Sequence, residues 1–521
     1  MPRLDRDVPR PPRRARSVAR PRRRRAAAVL ATFLALSVAG AACSSDDGGD
    51  GAGTRGSTPP STRTARPAGP AAELTEIRAP GHPMMGAAVG TEIPKGYVQH
   101  EYVASGTATA YEAPGGLTRD GRWRFRTTTT APYRTRVVVR RPADADRSNG
   151  TVIVEWLNVS GGIDANPEYA NMYEEITRRR ATWVGVSAQR IGVEGGPVLV
   201  APPGAEGVAG KGLKASDPAR YASLEHPGDG YSFDIFTQVA RAARAGSPVT
   251  GGAGARYVLA AGESQSAMAL VTYYNGVQPL TRAFDGFLVH SRAGVPLPLV
   301  GPGEAADLAT SIGALKPVLL RDDRPEPVLE LQAESDVIGP LDSYSARQPD
   351  RATFRLWEVA GTAHADAHLL GPIAGAANCG VPINAGPMHV VAKAALHHLD
   401  AWVRTGDAPP RAERIETTEG AAPAVRRDDD GIALGGVRTP PVDVPVEVLS
   451  GAPGSGAGLM CLLLGSTKPL PAERIAALYP SRADYQRRYD ADVARAVRAG
   501  FALEADRDAL AAFARPKLVS P

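Results

Sequence analysis

The feature that most constrains this chain is a series of short apolar runs, each followed by a helical pattern, from Gly96 onward. Runs such as VVV at 137–139 and TVIVEWL at 151–157 are almost continuously apolar, which is typical of strands covered on both faces. Strands that alternate with helices form a mostly parallel sheet. The sequence therefore predicts an α/β fold with a mostly parallel central sheet flanked by helices.

The N-terminal region has the layout of an export signal. Residues 1–43 contain eleven Arg and two Asp. Because the whole chain has a net charge of only +5, the remaining residues are mildly acidic, which argues against nucleic acid as a partner. An apolar stretch, Ala26–Ala42, leads to Cys43. We expect an exported protein, either a cell-envelope lipoprotein acylated at Cys43 or a secreted protein released by cleavage after Ala. A lipid on Cys43 would be its only link to a membrane.

Composition divides the remainder of the chain. Residues 44–75 are rich in Gly, Ser, Thr and Pro and are predicted to be a disordered linker. Residues 76–410 carry the strand and helix pattern and are predicted to be the core. Residues 411–521 begin rich in proline and charge and end in amphipathic helical patterns, which predicts a C-terminal extension packed on the core.

Cys379 and Cys461 are the cysteines that remain after Cys43. In an exported protein an even pair favours a disulfide between them, and two unrelated buried thiols are the alternative. The string His364-Ala-Asp-Ala-His368 has a spacing that metal sites also use, but no further cluster of ligands supports a metal, so we expect no metal and no cofactor.

Gly262-Glu-Ser-Gln-Ser266 follows the apolar run YVLAA and precedes the helical run AMALVTYY. A serine flanked by small residues between a strand and a helix is the context of a nucleophile elbow. A serine nucleophile needs a histidine base, and the histidine needs a carboxylate to orient it. Asp336 and His364 each follow a predicted strand, and the order Ser264, Asp336, His364 is that of α/β-hydrolases. Glu334 is the alternative acid.

Acyl transfer also needs donors for the oxyanion. The N–H that follows the nucleophile, that of Gln265, is the first candidate. The second comes from the turn after TVIVEWL, where we expect the Val159 N–H, with Gly161 or Gly162 as alternatives.

The strings GESQSA, EWLNVS, RYASLEHPGDGYSFDIF, RVVVRRP and GTAHAD together resemble a family of bacterial secreted proteins known as the α/β-hydrolase domain family, over roughly Gly96 to Ala514. The resemblance implies a serine hydrolase of the α/β-hydrolase fold, with lid or cap insertions and a C-terminal helical extension. It does not name a substrate. Three segments, 191–228, 292–326 and 365–387, are expected to form the rim of the pocket.

Two functions from different classes follow. The first is an exported serine hydrolase that cleaves a small-molecule or lipid-like carboxylic ester through an acyl-enzyme. The alternative is a catalytically silent cell-envelope binding protein that retains the fold.

Overall fold

A computed structural model of the chain describes residues 66–86, 89–201, 207–307, 312–420, 422–456 and 458–521. These residues belong to one compact unit. The predicted signal segment, the lipidation site Cys43 and the linker up to residue 65 lie outside the described residues. Among the described residues, no helix has the length and apolarity needed to cross a bilayer.

The core is a nine-stranded sheet with the order β1-β2-β3-β5-β4-β6-β7-β8-β9. The strands are β1 Glu73–Glu76, β2 Tyr97–Glu112, β3 Arg126–Pro142, β4 Thr151–Trp156, β5 Thr182–Val186, β6 Tyr257–Glu263, β7 Gly286–His290, β8 Val328–Ala333 and β9 Phe354–Val359. The six strands from β5 to β9 in this order run parallel, while β1, β2 and β3 form an antiparallel edge. The predicted α/β-hydrolase fold with a mostly parallel sheet is confirmed.

Helices cover both faces of the sheet. The α-helices are α1 Pro167–Arg178, α2 Arg190–Glu194, α3 Gly212–Ser216, α4 Pro218–Tyr221, α5 Ser232–Ala245, α6 Gln265–Thr272, α7 Gln278–Thr281, α8 Glu334–Val337, α9 Ala367–Leu370, α10 Met388–Thr405, α11 Pro440–Asp443, α12 Leu459–Leu464, α13 Ala472–Leu478, α14 Arg482–Arg498 and α15 Arg507–Ala511. A π-helical turn, Tyr273–Val277, joins α6 to α7. Both α5 and α10 end at a glycine with a φ of 85°, a conformation that other residues adopt only with strain.

The continuous apolar runs are explained by burial on both faces. Side chains alternate along a strand, so Val152 and Val154 of β4 pack into one core with residues of α5 and α6. Ile153 packs into a second core with residues of α1 and α10. The parallel strands therefore end together at one edge, where the loops that carry function are found.

The predicted boundary between linker and core comes too late in the chain. β1 lies largely within the predicted linker and pairs with β2 from Glu73↔Ser105 to Glu76↔Tyr102. Arg66 forms an ion pair with Asp285 at the start of β7. The strand has no apolar run because it is an exposed edge strand, stabilised by its backbone ladder rather than by buried side chains.

Residues 411–521 pack on the core through a small core of their own. Val390 of α10 packs among Tyr485, Tyr489 and other residues of the extension. The extension also contains a two-stranded antiparallel sheet, β10 Glu447–Ser450 and β11 Ser466–Pro469. Asp506 forms ion pairs with Arg178 of α1 and with the buried Lys393 of α10. These contacts place the extension against α1 and α10.

Candidate active site

Ser264 lies between β6 and α6, at the turn predicted from the sequence. Its backbone has φ 63° and ψ −123°, a region that a serine occupies only with strain. Its N–H donates to the carbonyl oxygen of His290, at 2.9 Å. A Cβ on Gly262 would lie 3.0 Å from the Ser266 Cβ, a close approach that favours glycine at this sharp turn. The strain presents the Ser264 side chain at the sheet edge, where it is partly exposed.

His364 contacts both of the other predicted site residues. Its Nε2 is 2.9 Å from the Ser264 Oγ, and its Nδ1 is 2.8 Å from the Asp336 Oδ1. The His364 backbone N–H donates to the Ser335 Oγ at 2.7 Å, which fixes the loop after β9 against the loop after β8. The structure therefore brings together three residues that are separated by up to 100 positions in the sequence.

Asp336 is fully buried at the end of β8, in the one-turn helix α8. Its Oδ2 accepts hydrogen bonds from the Ser291 Oγ at 2.6 Å and from the Ala333 N–H at 2.7 Å. An ionised carboxylate only accepts hydrogen bonds, so these two donors hold the side chain with Oδ1 free for the His364 ring. In this arrangement the imidazole can take the proton of the Ser264 hydroxyl while the carboxylate fixes its tautomer.

Glu334, the alternative acid, does not contact the His364 ring. Its Oε1 accepts from the Arg427 Nη2 at 2.6 Å and from the Gly451 N–H at 2.8 Å, and its Oε2 accepts from the Gly361 N–H at 2.8 Å. Glu334 lies two residues before Asp336 in α8, so its side chain points away from the histidine and toward the C-terminal extension. Glu334 therefore joins the loop after β8 to the loop after β9 and to the extension.

The two candidate oxyanion donors differ in their availability. The Gln265 N–H belongs to the first turn of α6, where no side chain caps the helix. The Val159 N–H instead donates to the Gln265 Oε1 at 3.3 Å. The turn that carries Val159 is held against the elbow by the Asn158 side chain, which donates to the Glu263 carbonyl at 3.0 Å. The Val159 N–H can serve an oxyanion only when it exchanges this long hydrogen bond with the Gln265 side chain.

The Gln265 side chain is itself held in place, which the sequence analysis did not predict. Its Nε2 donates to the Gln189 Oε1, which also accepts the Trp156 indole N–H at 2.9 Å. Gln189 in turn donates to Asp229 at 3.5 Å. A glutamine one residue after the candidate nucleophile is the only sequence signal that could have pointed to this chain of hydrogen bonds.

A second buried polar cluster lies directly behind the elbow, and sequence reasoning missed it. Glu168, Glu263 and His290 are buried, and one ligand-type atom of each lies within 4.8 Å of the others. Burial raises the pKa of both glutamates to about 8 and lowers the pKa of His290. Their side-chain types are also those that bind divalent cations, but Asn171 directs an N–H donor at the Glu263 Oε2, at 3.1 Å. The position of Glu263, immediately before Ser264, was the available signal.

The predicted disulfide is present, between Cys379 and Cys461, with Cα atoms 5.4 Å apart. It joins the loop after His364 to α12. The same two segments also share backbone hydrogen bonds, from Ala365 N–H to the Leu463 oxygen and from Asn384 N–H to the Leu464 oxygen. The disulfide is therefore one of several contacts that hold the segment beginning at the histidine.

The predicted rim segment 191–228 contacts the turn after β4, and its end also contacts the predicted rim segment 292–326. Leu199 and Val200 donate their N–H groups to the Ser160 carbonyl oxygen, at 3.0 and 3.1 Å. The Asp229 N–H donates to the Glu304 oxygen at 2.8 Å, which joins the segments near 228 and 303. Val198, the residue before Leu199, has an exposed apolar side chain.

Solved structures similar to this chain share little sequence with it. They include esterases from Rhizomucor miehei, with 10% identity over 60% of this chain and 85% of that chain and a TM-score of 0.31. A thermostable esterase from Pseudomonas putida has 13% identity over 61% and 86%, with a TM-score of 0.31. A serine hydrolase without a lid from Xanthomonas campestris has 14% identity over 58% and 96%, with a TM-score of 0.28.

No curated protein sequence matches this chain. A family profile described as an alpha/beta hydrolase domain matches residues 62–512, which is most of the sequence. With the parallel sheet and the elbow already described, this match identifies the chain as a member of the alpha/beta hydrolase domain family and as a hydrolase.

Proposed function

We propose that this hydrolase is an exported serine esterase that cleaves small or lipid-like carboxylic esters through an acyl-enzyme. One observation carries the proposal: the continuous hydrogen-bonded series from Asp336 through His364 to a strained Ser264, with distances of 2.8 and 2.9 Å. Bonds of this length satisfy the geometric requirement for a nucleophile and its base. Export rests on the N-terminal signal pattern, and Cys43 is the proposed site of a lipid anchor.

The proposed reaction uses each residue in turn. Ser264 attacks the ester carbonyl as His364 takes its proton, and the Gln265 N–H, joined by the Val159 N–H, stabilises the oxyanion. His364 then protonates the leaving alcohol, and a water molecule repeats the sequence on the acyl-enzyme. Asp336 stabilises the imidazolium that forms in each step. Ester cleavage is the chemistry that the family resemblance favours.

The proposal is tested by steady-state hydrolysis of a neutral p-nitrophenyl ester. Ser264→Ala and His364→Ala should each lose about three or more orders of magnitude in kcat, since either change removes the nucleophile or its base. Ser266→Ala, two positions away in the same turn, is the matched control and should keep the parent rate. Equal activity of Ser264→Ala and the parent would reject the proposal, and an inactive but folded parent would favour the binding-protein alternative.

A further inference from the structure

The cluster of Glu168, Glu263 and His290 joins three elements beneath the candidate active site. Glu263 ends β6, His290 ends β7 and Glu168 lies in the first turn of α1. The His290 Nδ1 is 3.2 Å from the Glu168 Oε2 and 3.6 Å from the Glu263 Oε2. The three side chains are at most 4% exposed, so they are shielded from bulk solvent.

Both members on the sheet are linked to residues of the candidate site. Glu263 precedes Ser264, and the backbone oxygen of His290 accepts the Ser264 N–H at 2.9 Å. Ser291, which follows His290 with a φ of 53°, donates its hydroxyl to Asp336 at 2.6 Å. A displacement of the cluster would therefore move the nucleophile and the carboxylate that orients the base.

The charge of the cluster is set by its burial and its neighbours. The titratable groups that act on it are Glu155 of β4, Asp336, His364 and Asp366. Most of these neighbours are acids, and no Lys or Arg forms an ion pair with the cluster among the described residues. Burial without a cation raises the pKa of both carboxyl groups to about 8, so they remain protonated at neutral pH. The lowered pKa of His290 keeps its ring neutral as well.

We propose that Glu263, Glu168 and His290 are positioning residues that hold Ser264 and Asp336 in place only while the cluster carries no net charge. The inference rests on the proposed function, since it assigns these residues to a serine nucleophile. When the carboxyl groups ionise, two like charges whose oxygens lie within 4.8 Å of each other repel in a site shielded from bulk solvent. The resulting shift passes directly to the elbow, because Glu263 and Ser264 are adjacent.

The test is the pH dependence of kcat for the full chain and for Glu263→Gln, which keeps the shape of the protonated acid. The parent should lose about tenfold in kcat between pH 7 and pH 9.5, with a midpoint near 8, whereas KM changes little. Glu263→Gln should remain within about threefold of the parent at pH 7 and lack this loss. Glu263→Ala should lose about tenfold or more at pH 7, and Glu168→Gln gives a second, independent variant on α1. Asp234→Asn, a buried carboxyl whose hydrogen bonds all lie on β2 and α5, should keep the parent profile.

Two results would overturn the proposal in active protein. One is a parent and a Glu263→Gln variant with the same pH profile, and the other is a Glu263→Gln variant as impaired at pH 7 as Glu263→Ala. A stoichiometric divalent cation in the dialysed protein that Glu263→Gln no longer binds would also overturn it, because the cluster would then be a metal site.

A readout independent of activity separates this proposal from the proposed function. A carboxyl with a raised native pKa stabilises the fold below pH 4.5, and that stabilisation is lost as the pH rises through about 8. The urea midpoint of the parent should therefore fall between pH 5 and pH 8 by more than that of Glu263→Gln. If the parent hydrolyses no ester yet shows this difference, the proposed function fails while the neutral cluster stands. Equal midpoint changes would reject the neutral cluster.

Discussion

Loss of the Cys379–Cys461 disulfide should destabilise the protein, and the length of the loop that the disulfide closes determines the size of the effect. The bridge closes a segment between cysteines 82 residues apart. In the chain-entropy description, a loop of this length restricts the unfolded chain by about 4.5 kcal/mol at 25 °C. This is a large share of the roughly 5–15 kcal/mol that stabilises a typical domain.

The perturbation is the double variant Cys379→Ala with Cys461→Ala, and the assay is urea unfolding followed by tryptophan fluorescence. We expect the free energy of unfolding to fall by about 2–4.5 kcal/mol, since the denatured variant regains the chain entropy that the bridge removes. Cys43→Ala is the matched control and should unfold like the parent. A loss below about 1 kcal/mol, or reactive thiols at both Cys379 and Cys461 in the denatured parent without reductant, would refute the reasoning.

The same variant should also lose activity, because the bridge joins the loop that follows His364 to α12. The backbone hydrogen bonds from Ala365 and Asn384 to α12 remain, so the histidine loop is loosened rather than released. We expect kcat to fall by up to about a hundredfold, the effect of a displacement of about 1 Å at the base. An unchanged kcat in a destabilised variant would show that the disulfide acts on the unfolded state alone.

Three further predictions concern single residues. Asp336→Asn should lower kcat by up to about 10⁴-fold, because the His364 ring loses its correct tautomer. Glu334→Gln should destabilise the fold, because Arg427 loses its charged partner, but should keep kcat within about tenfold. The reverse result in ester kinetics would reassign the acid. Ser266→Ala should raise the free energy of unfolding by about 1 kcal/mol in urea titrations, because the buried Ser266 hydroxyl has no hydrogen-bond partner among the described residues. A destabilised variant would contradict this prediction. Burial and neighbouring positive charge lower the pKa of His389 to about 2. The free energy of unfolding should therefore fall by up to about 1.4 kcal/mol per pH unit below pH 6.5, and His389→Phe should reduce this slope. Equal slopes for the parent and His389→Phe would contradict the prediction.

The fold was largely predictable because the strands of the parallel sheet are buried on both faces. The runs TVIVEWL and YVLAA correspond to β4 and β6. β1 was missed because an edge strand gains stability from backbone pairing, which leaves no apolar pattern in its sequence.

The candidate site was predictable only in part. Residue order and strand ends predicted that Ser264, Asp336 and His364 would meet, since the carboxyl ends of parallel strands share one edge. The bond between the Gln265 side chain and Val159 depends on rotamers, and the cluster with Glu168 depends on where a helix packs. Neither property is encoded in the spacing of residues along the chain.

The central claim is that Ser264 is a nucleophile activated by His364. The most direct measurement is covalent labelling of the purified protein with a fluorophosphonate probe, followed by mass spectrometry of the labelled peptide. The account predicts one adduct per chain on Ser264, no adduct in Ser264→Ala, and slow labelling in His364→Ala. An unlabelled parent, or a label that persists in Ser264→Ala, would contradict it.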